Sequence, residues 1–198
     1  MSKAGIIIIG CLCCVLASAP MPVRAADRNN PYEKAVITAR SEIWQSINSG
    51  RCSSAAVSIM VDGKSVYTDG FGMADREKNL PVTPATIFNI GSISKVYVAA
   101  AIMLLVDDGK VVLDRPVTDY LPEFRMADDR YRNITVRMLL NHQSGLPGTM
   151  GTNQVGYSYD DNVKKVTIDT LKRAHLKHAP GANAVYCNDG FTLAEMIV

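Results

Sequence analysis

The sequence predicts an α+β protein, an antiparallel sheet flanked by helices with an all-helical region adjoining it. Three observations carry that prediction. Residues 55–61 and 65–71 are β-prone runs joined through Asp62-Gly63, the dipeptide of a tight hairpin. Residues 96–106 are apolar at every position, the pattern of a buried central helix with no face reserved for water. From that helix to about His178 no convincing strand follows, so the later helices are segregated from the hairpin.

In chain order, residues 1–25 carry an early Lys3, an apolar core at 6–19 and a small-residue exit at Val23-Arg24-Ala25. These are the three regions of a secretory signal peptide, with a core short for a membrane span. Ile8-Ile9-Gly10-Cys11 resembles the box before a lipid-anchored cysteine but would leave a very short apolar core, so cleavage near Ala25 is the expectation, and membrane association is expected only through the leader or such an anchor. The protein is expected to be exported, to the periplasm or beyond the cell. Removing Lys3 and Arg24 from the 21 basic residues leaves 19 against 19 acidic ones, a neutral body that gives nucleic acid nothing to hold. Cys11, Cys13 and Cys14 leave with the leader, and Cys52 and Cys187 are expected as free, partly buried thiols.

Residues 26–198 are expected to belong to one domain, as its N-terminal portion. Asn30-Pro31-Tyr32-Glu33 reads as a helix start, and Val36, Ile37, Ile43, Trp44 and Ile47 recur at helical spacing up to Gly50. After the hairpin, residues 78–84 are a proline-bearing loop and residues 86–90 a short β-prone run. Gly91 then leads to Ser92 and Lys95 at the head of the apolar helix, which Asp107-Asp108-Gly109 stops. A helical turn is expected near Asp114-Arg115-Pro116, and a helix at 136–140 capped by Thr135. Residues 141–148, NHQSGLPG, are too rich in glycine and proline to be regular; 150–161 reads as a polar loop and 166–174 as a helix. Turns at Pro180-Gly181 and Asp189-Gly190 bracket an extended stretch, 184–188, before a final helix from Phe191 that runs to the last residue without a cap.

Ser92 and Lys95 are three apart, which stacks a hydroxyl and an amine on one helical face. A serine becomes a nucleophile when a base takes its proton, and a lysine is that base only when neutral. Bringing a lysine from about 10.4 to about 7 requires about 4 to 5 kcal/mol of differential solvation. A helix N-terminus supplies about 0.3 to 1 kcal/mol, so Lys95 is expected in dry surroundings. A phosphate loop is excluded, because Lys95 follows Ser94 and precedes Val96. Tyr186 and Asn188, two apart, point to one side of an extended backbone, where a phenol can relay a proton and a carboxamide can hold an amide. His175 and His178 have no carboxylate or cysteine beside them, so no metal site and no cofactor are expected. His142 is expected to make a structural hydrogen bond.

In order, Phe88-Asn89-Ile90-Gly91 with Ser92-Ile93-Ser94-Lys95, then VDDGKVVLDRPVTDYLP, ITVRMLLNHQSGLPG and PGANAVYCNDGF, resemble the landmarks of the serine β-lactamase and penicillin-binding protein family, in the branch of class C β-lactamases, DD-carboxypeptidases and related esterases. The resemblance runs from about Tyr32 to the end. It implies a sheet region beside an all-helical region with a cleft between them, Ser92 as the acylated nucleophile, Lys95 as its proton partner, Tyr186 as general acid/base and Asn188 as holder of the substrate amide. Cys187 stands where the family usually has serine. The third motif, Lys-Thr-Gly or His-x-Gly on a late strand, is missing. The chain is therefore expected to be the N-terminal part of a longer, monomeric enzyme, and to be poorly stable and nearly inactive alone. The implied function is an exported serine acyl hydrolase of β-lactams, D-Ala-D-Ala peptides or small esters. The alternatives are a β-lactam- or peptidoglycan-binding or sensing homologue that does not turn over, and an inactive fragment.

Overall fold

Asp62 and Gly63 both take positive φ, 46° and 75°, and turn the chain back on itself as the dipeptide predicts. The computed structural model to which this hairpin belongs describes residues 31–148 and 162–198 together with the backbone of 5–9. The chain divides into two units, Met1–Gly91 and Ser92–Val198.

In the first unit, strands β2 (Ser54–Val61) and β3 (Lys64–Asp75) pair antiparallel. Ala55, Val57, Ile59 and Val61 are buried while Ser58 and Met60 face out, the alternation of a sheet with one covered face. Helix α1 (Glu33–Asn48) lies on that face, Val36 and Ile43 joining the same apolar cluster, with Trp44 edge-on to Phe71 at 5.7 Å. Arg40 reaches from α1 to the Asp69 carboxylate at 2.6 Å and the Tyr67 hydroxyl at 3.0 Å. Burial, and then the hydrogen bond to Asp69, push the Tyr67 phenol up to about 12.

Several expectations need correction here. Tyr32 occupies the N-cap of α1 and makes no side-chain cap; Asn30 lies outside the described residues. Within the expected loop at 78–84, Leu80–Pro81 forms a short strand, β4, against the end of β3. The β-prone run 86–90 is not a strand. The Thr86 hydroxyl accepts the Thr83 N–H at 2.9 Å, the Thr83 carbonyl accepts the Thr86 N–H, and Asn89 accepts the Gly91 N–H at 2.7 Å. Local bonds thus close turns at both ends of the run, at Thr83–Thr86 and at Asn89–Gly91. On the other side of β2, strand β1 (Gly5–Ile9) pairs antiparallel, giving the order β1-β2-β3-β4. β1 falls within the stretch read as a leader, of which the remainder lies outside the described residues.

The second unit is helical. Helix α2 (Ser94–Asp107) ends as predicted: the Gly109 N–H bonds the Val106 carbonyl, the Lys110 N–H bonds that of Leu105, and Gly109 has φ 70°. Its burial is not as predicted. Ile102 is its one buried residue, packed with Val111 and Val136, while Val96 and Leu104 are each 67% exposed and Tyr97 and Met103 also face out. An all-apolar segment states only that it offers water no polar face; the described residues cover one stripe of it. Helix α3 (Val136–Leu140) starts at Thr135, whose hydroxyl accepts the Met138 N–H. Helix α4 (Val163–Leu171) starts three residues before its expected position, and α5 (Asn188–Ile197) takes in Asp189-Gly190, expected as a turn. Gly190 is buried and lies against Leu139 of α3, so packing of α5 on α3 sets the backbone here rather than the local turn preference of Asp-Gly. Phe124, Ile134, Leu139, Leu171 and Leu193 form the centre of the unit's core. Cys52 and Cys187 are free thiols, half-buried and buried respectively. The expected loop at 150–161 lies outside the described residues.

Residues 141–148 are irregular as expected, yet they fasten a distant segment. The Gly181 N–H bonds the Gln143 carbonyl, the Lys177 N–H that of Gly145, and the Val185 N–H that of His142. Gly145 has φ 74°, and any Cβ there would run into the His178 carbonyl oxygen. Asp128 anchors the same neighbourhood, taking both the Arg130 guanidinium and the Leu176 N–H. The Arg130 hydrogen bond, with backbone N–H groups of Arg130 and Leu176 adding to it, holds the Asp128 carboxyl well below the usual carboxylate range. A depressed carboxylate stabilises the fold above its unfolded value, about 3.9, and that contribution is lost as pH falls toward the folded value. Thermal melts at falling pH should therefore show an acid-labile increment of stability that Asp128→Asn lacks, the variant melting lower than wild type at pH 7 and converging with it in acid.

Candidate active site

Ser92 sits in a 3-10 turn, Gly91–Ile93, that runs directly into α2, and Lys95 is the second residue of that helix. The predicted spacing brings the two side chains together: the Lys95 Nζ donates to the Ser92 Oγ at 3.2 Å. Tyr186, ninety-four residues away in sequence, places its Oη 2.6 Å from the same Oγ. It is held there from both sides. The Val185 N–H bonds the His142 carbonyl at 2.9 Å, and the Cys187 N–H bonds the His142 Nδ1 at 3.2 Å. Ser92 and Tyr186 are exposed, the phenol side chain belonging to a residue 57% exposed, so the oxygen pair is open to a ligand.

Lys95 is half-buried, with its Nζ 4.9 Å from the centre of the Tyr186 ring and 5.6 Å from that of Phe191. These are not the dry surroundings expected of it; two aromatic faces attract a cation. The same contacts act on the phenol. The hydrogen bond from Lys95, then that with Ser92, hold the Tyr186 phenol below its ordinary value of 10.0. Burial, followed by the Lys95 charge, lowers His142, and burial raises the Cys187 thiol. The head of α2 adds the positive end of a helix dipole at Ser92.

Asn188 is the first residue of α5 and is exposed. The extended strip expected to carry it stops one residue earlier, at Cys187, whose φ and ψ are −147° and 123°. His178 places its Nδ1 2.9 Å from the Ala179 carbonyl, and the described residues contain no group of side chains able to hold a metal. Phe191 was not singled out as a site residue from the sequence, and His142 was expected only to make a structural hydrogen bond. Phe191 backs Lys95, and the His142 ring lies 4.6 Å from the Tyr186 ring and 5.2 Å from that of Phe191. Spacing could have found Phe191, three residues past the start of α5 and so on the face of Asn188. No local signal joins His142 to Tyr186.

The sequence profile of the Beta-lactamase family matches residues 34–198. The chain belongs to the Beta-lactamase family. Among relatives in this family, Esterase EstB of Burkholderia gladioli is 32% identical over 159 residues, covering 72% of this chain and 39% of that protein. Penicillin-binding protein 4 of Amycolatopsis lactamdurans is 33% identical over 147 residues, covering 73% and 37%. A crystal structure of a class C β-lactamase superposes with a TM-score of 0.69 at 27% identity, covering 86% of this chain and 45% of the other. The expected fold class is thereby established as that of the Beta-lactamase family. The chain spans less than half the length of each of these relatives.

Proposed function

We propose that this chain carries the acylation centre of an exported serine acyl hydrolase acting on β-lactams, D-Ala-D-Ala peptides or small esters. The observation that supports it most is the pair of contacts on one oxygen, Tyr186 Oη at 2.6 Å and Lys95 Nζ at 3.2 Å from Ser92 Oγ. Relatives named as an esterase, a penicillin-binding protein and a class C β-lactamase favour the same class of reaction.

Tyr186 Oη takes the Ser92 proton as Oγ attacks the substrate carbonyl carbon, and Lys95 stabilises the negative charge on the phenol oxygen. The tetrahedral intermediate places an oxyanion at the head of α2, where the Ser92 N–H and the helix dipole favour it. Collapse breaks the bond to the leaving nitrogen or oxygen, which receives the proton from Tyr186. Water then attacks the acyl carbon, giving up a proton to the same phenolate, which passes it to Ser92 Oγ as the ester bond breaks and the acid leaves. Asn188 holds the amide of the substrate.

The test is intact-protein and peptide mass spectrometry of the protein, as its native gene encodes it, after exposure to a penicillin or an activated ester. The expected result is an adduct of the acyl mass on Ser92 that decays with time. A permanent adduct points instead to a binding or sensing homologue, and an unmodified Ser92 overturns the reading.

A further inference from the structure

His142 is built into the site in a way that hydrolysis chemistry alone does not require. It adopts φ 61°, a left-handed conformation that non-glycine residues seldom hold without compensating contacts. Its own N–H bonds the Leu139 carbonyl at the end of α3. Its carbonyl accepts from Val185 and its Nδ1 from Cys187, so one residue grips the backbone immediately before and immediately after Tyr186. Its ring lies against the Tyr186 ring, tilted by 39°, and against Phe191. An Nδ1 that accepts a hydrogen bond carries no proton, so the imidazole is the neutral tautomer with its hydrogen on Nε2.

We propose that His142 is a positioning residue that holds the Tyr186 phenol on Ser92, and that it does so only while its imidazole is neutral. This rests on the acyl-transfer reading above. Protonation turns Nδ1 into a donor facing the Cys187 N–H, which then loses its acceptor, and places a second cation beside Lys95. Burial and the Lys95 charge oppose the cation, and among the described residues His142 also meets the Tyr186 ring and the Cys187 N–H from the strip before α5, the Leu139 carbonyl from α3 and the Phe191 ring from α5, with Asp189 acting on Cys187. The grip on Tyr186 therefore releases in acid.

The test compares the rate of Ser92 acylation against pH in wild type, His142→Gly and His142→Asn, with ¹⁵N NMR of the His142 ring. Glycine accepts the backbone conformation and removes the acceptor; asparagine also tolerates it and keeps an oxygen acceptor that cannot be protonated. Misplacing a catalytic group by about an ångström can cost about a hundredfold. His142→Gly should therefore acylate about 10- to 100-fold more slowly with substrate affinity little changed. His142→Asn should recover most of that rate and lose the low-pH limb that in wild type tracks the NMR titration of His142. Wild type that acylates while His142→Gly matches it, or while His142→Asn keeps the same acid limb, overturns the proposal and leaves the acyl-transfer reading intact. Should wild type never acylate, that reading falls, and the proposal is judged on the ring itself: a proton found on Nδ1 at pH 8, or a Tyr186 phenol titration unaltered by His142→Gly, overturns it.

Discussion

Ser92→Ala is expected to abolish the covalent adduct and to lower turnover by about 10⁴- to 10⁶-fold, the range seen when the nucleophile of a serine hydrolase is removed. The magnitude follows from the chemistry, because Lys95, Tyr186 and the helix terminus all act on one oxygen and have nothing to activate without it. The fold should not register the change. Ser92 is exposed, and its hydroxyl meets the two site residues Lys95 and Tyr186. Melting temperature and circular dichroism should match wild type while mass spectrometry finds no acyl group. A variant that still takes up the acyl mass places the nucleophile elsewhere.

Tyr186→Phe separates the phenol oxygen from the ring that carries it. Phenylalanine keeps the contacts with His142 and Lys95, so the strip stays in place while the proton acceptor disappears. Loss of a positioned general base costs about 10²- to 10⁴-fold. The pH profile gives a second reading. Only the phenolate accepts the serine proton, so the wild-type rate should climb with pH and level off below 10.0, where Lys95 and Ser92 hold the phenol. The variant should show no such climb. A variant within about threefold of wild type, with the climb preserved, transfers the role of base to Lys95.

What could be read from the sequence was local. Asp62-Gly63 announced a hairpin because positive φ at two successive residues is a property of those residues. Thr135 announced α3 because its hydroxyl meets an N–H three residues on. Ser92 and Lys95 met because a helix turn places them so. The failures share a different cause. The run 86–90 has strand propensity, but two threonine hydroxyls and an asparagine side-chain oxygen take backbone N–H groups on either side of it, at Thr83, Ala85 and Gly91, and fold the flanks into turns. Asp189-Gly190 looks like a turn until Leu139 is known to lie against it, a contact between residues about fifty positions apart. Lys95 was expected in dry surroundings because a helix terminus alone cannot neutralise a lysine; its spatial neighbours include two aromatic rings from residues 186 and 191, far along the chain. His142 was expected to make a structural hydrogen bond, and it does, but only the fold shows that the partner is the residue next to Tyr186.

The pairing of β1 with residues 56–60 of β2 ties two events that are usually thought of separately. If a peptidase trims the leader on export, the same cut strips one flank of the sheet and bares a row of amides and carbonyls on its second strand. The bared second strand would then be an open sheet edge, a template for any extended segment, a neighbouring copy included.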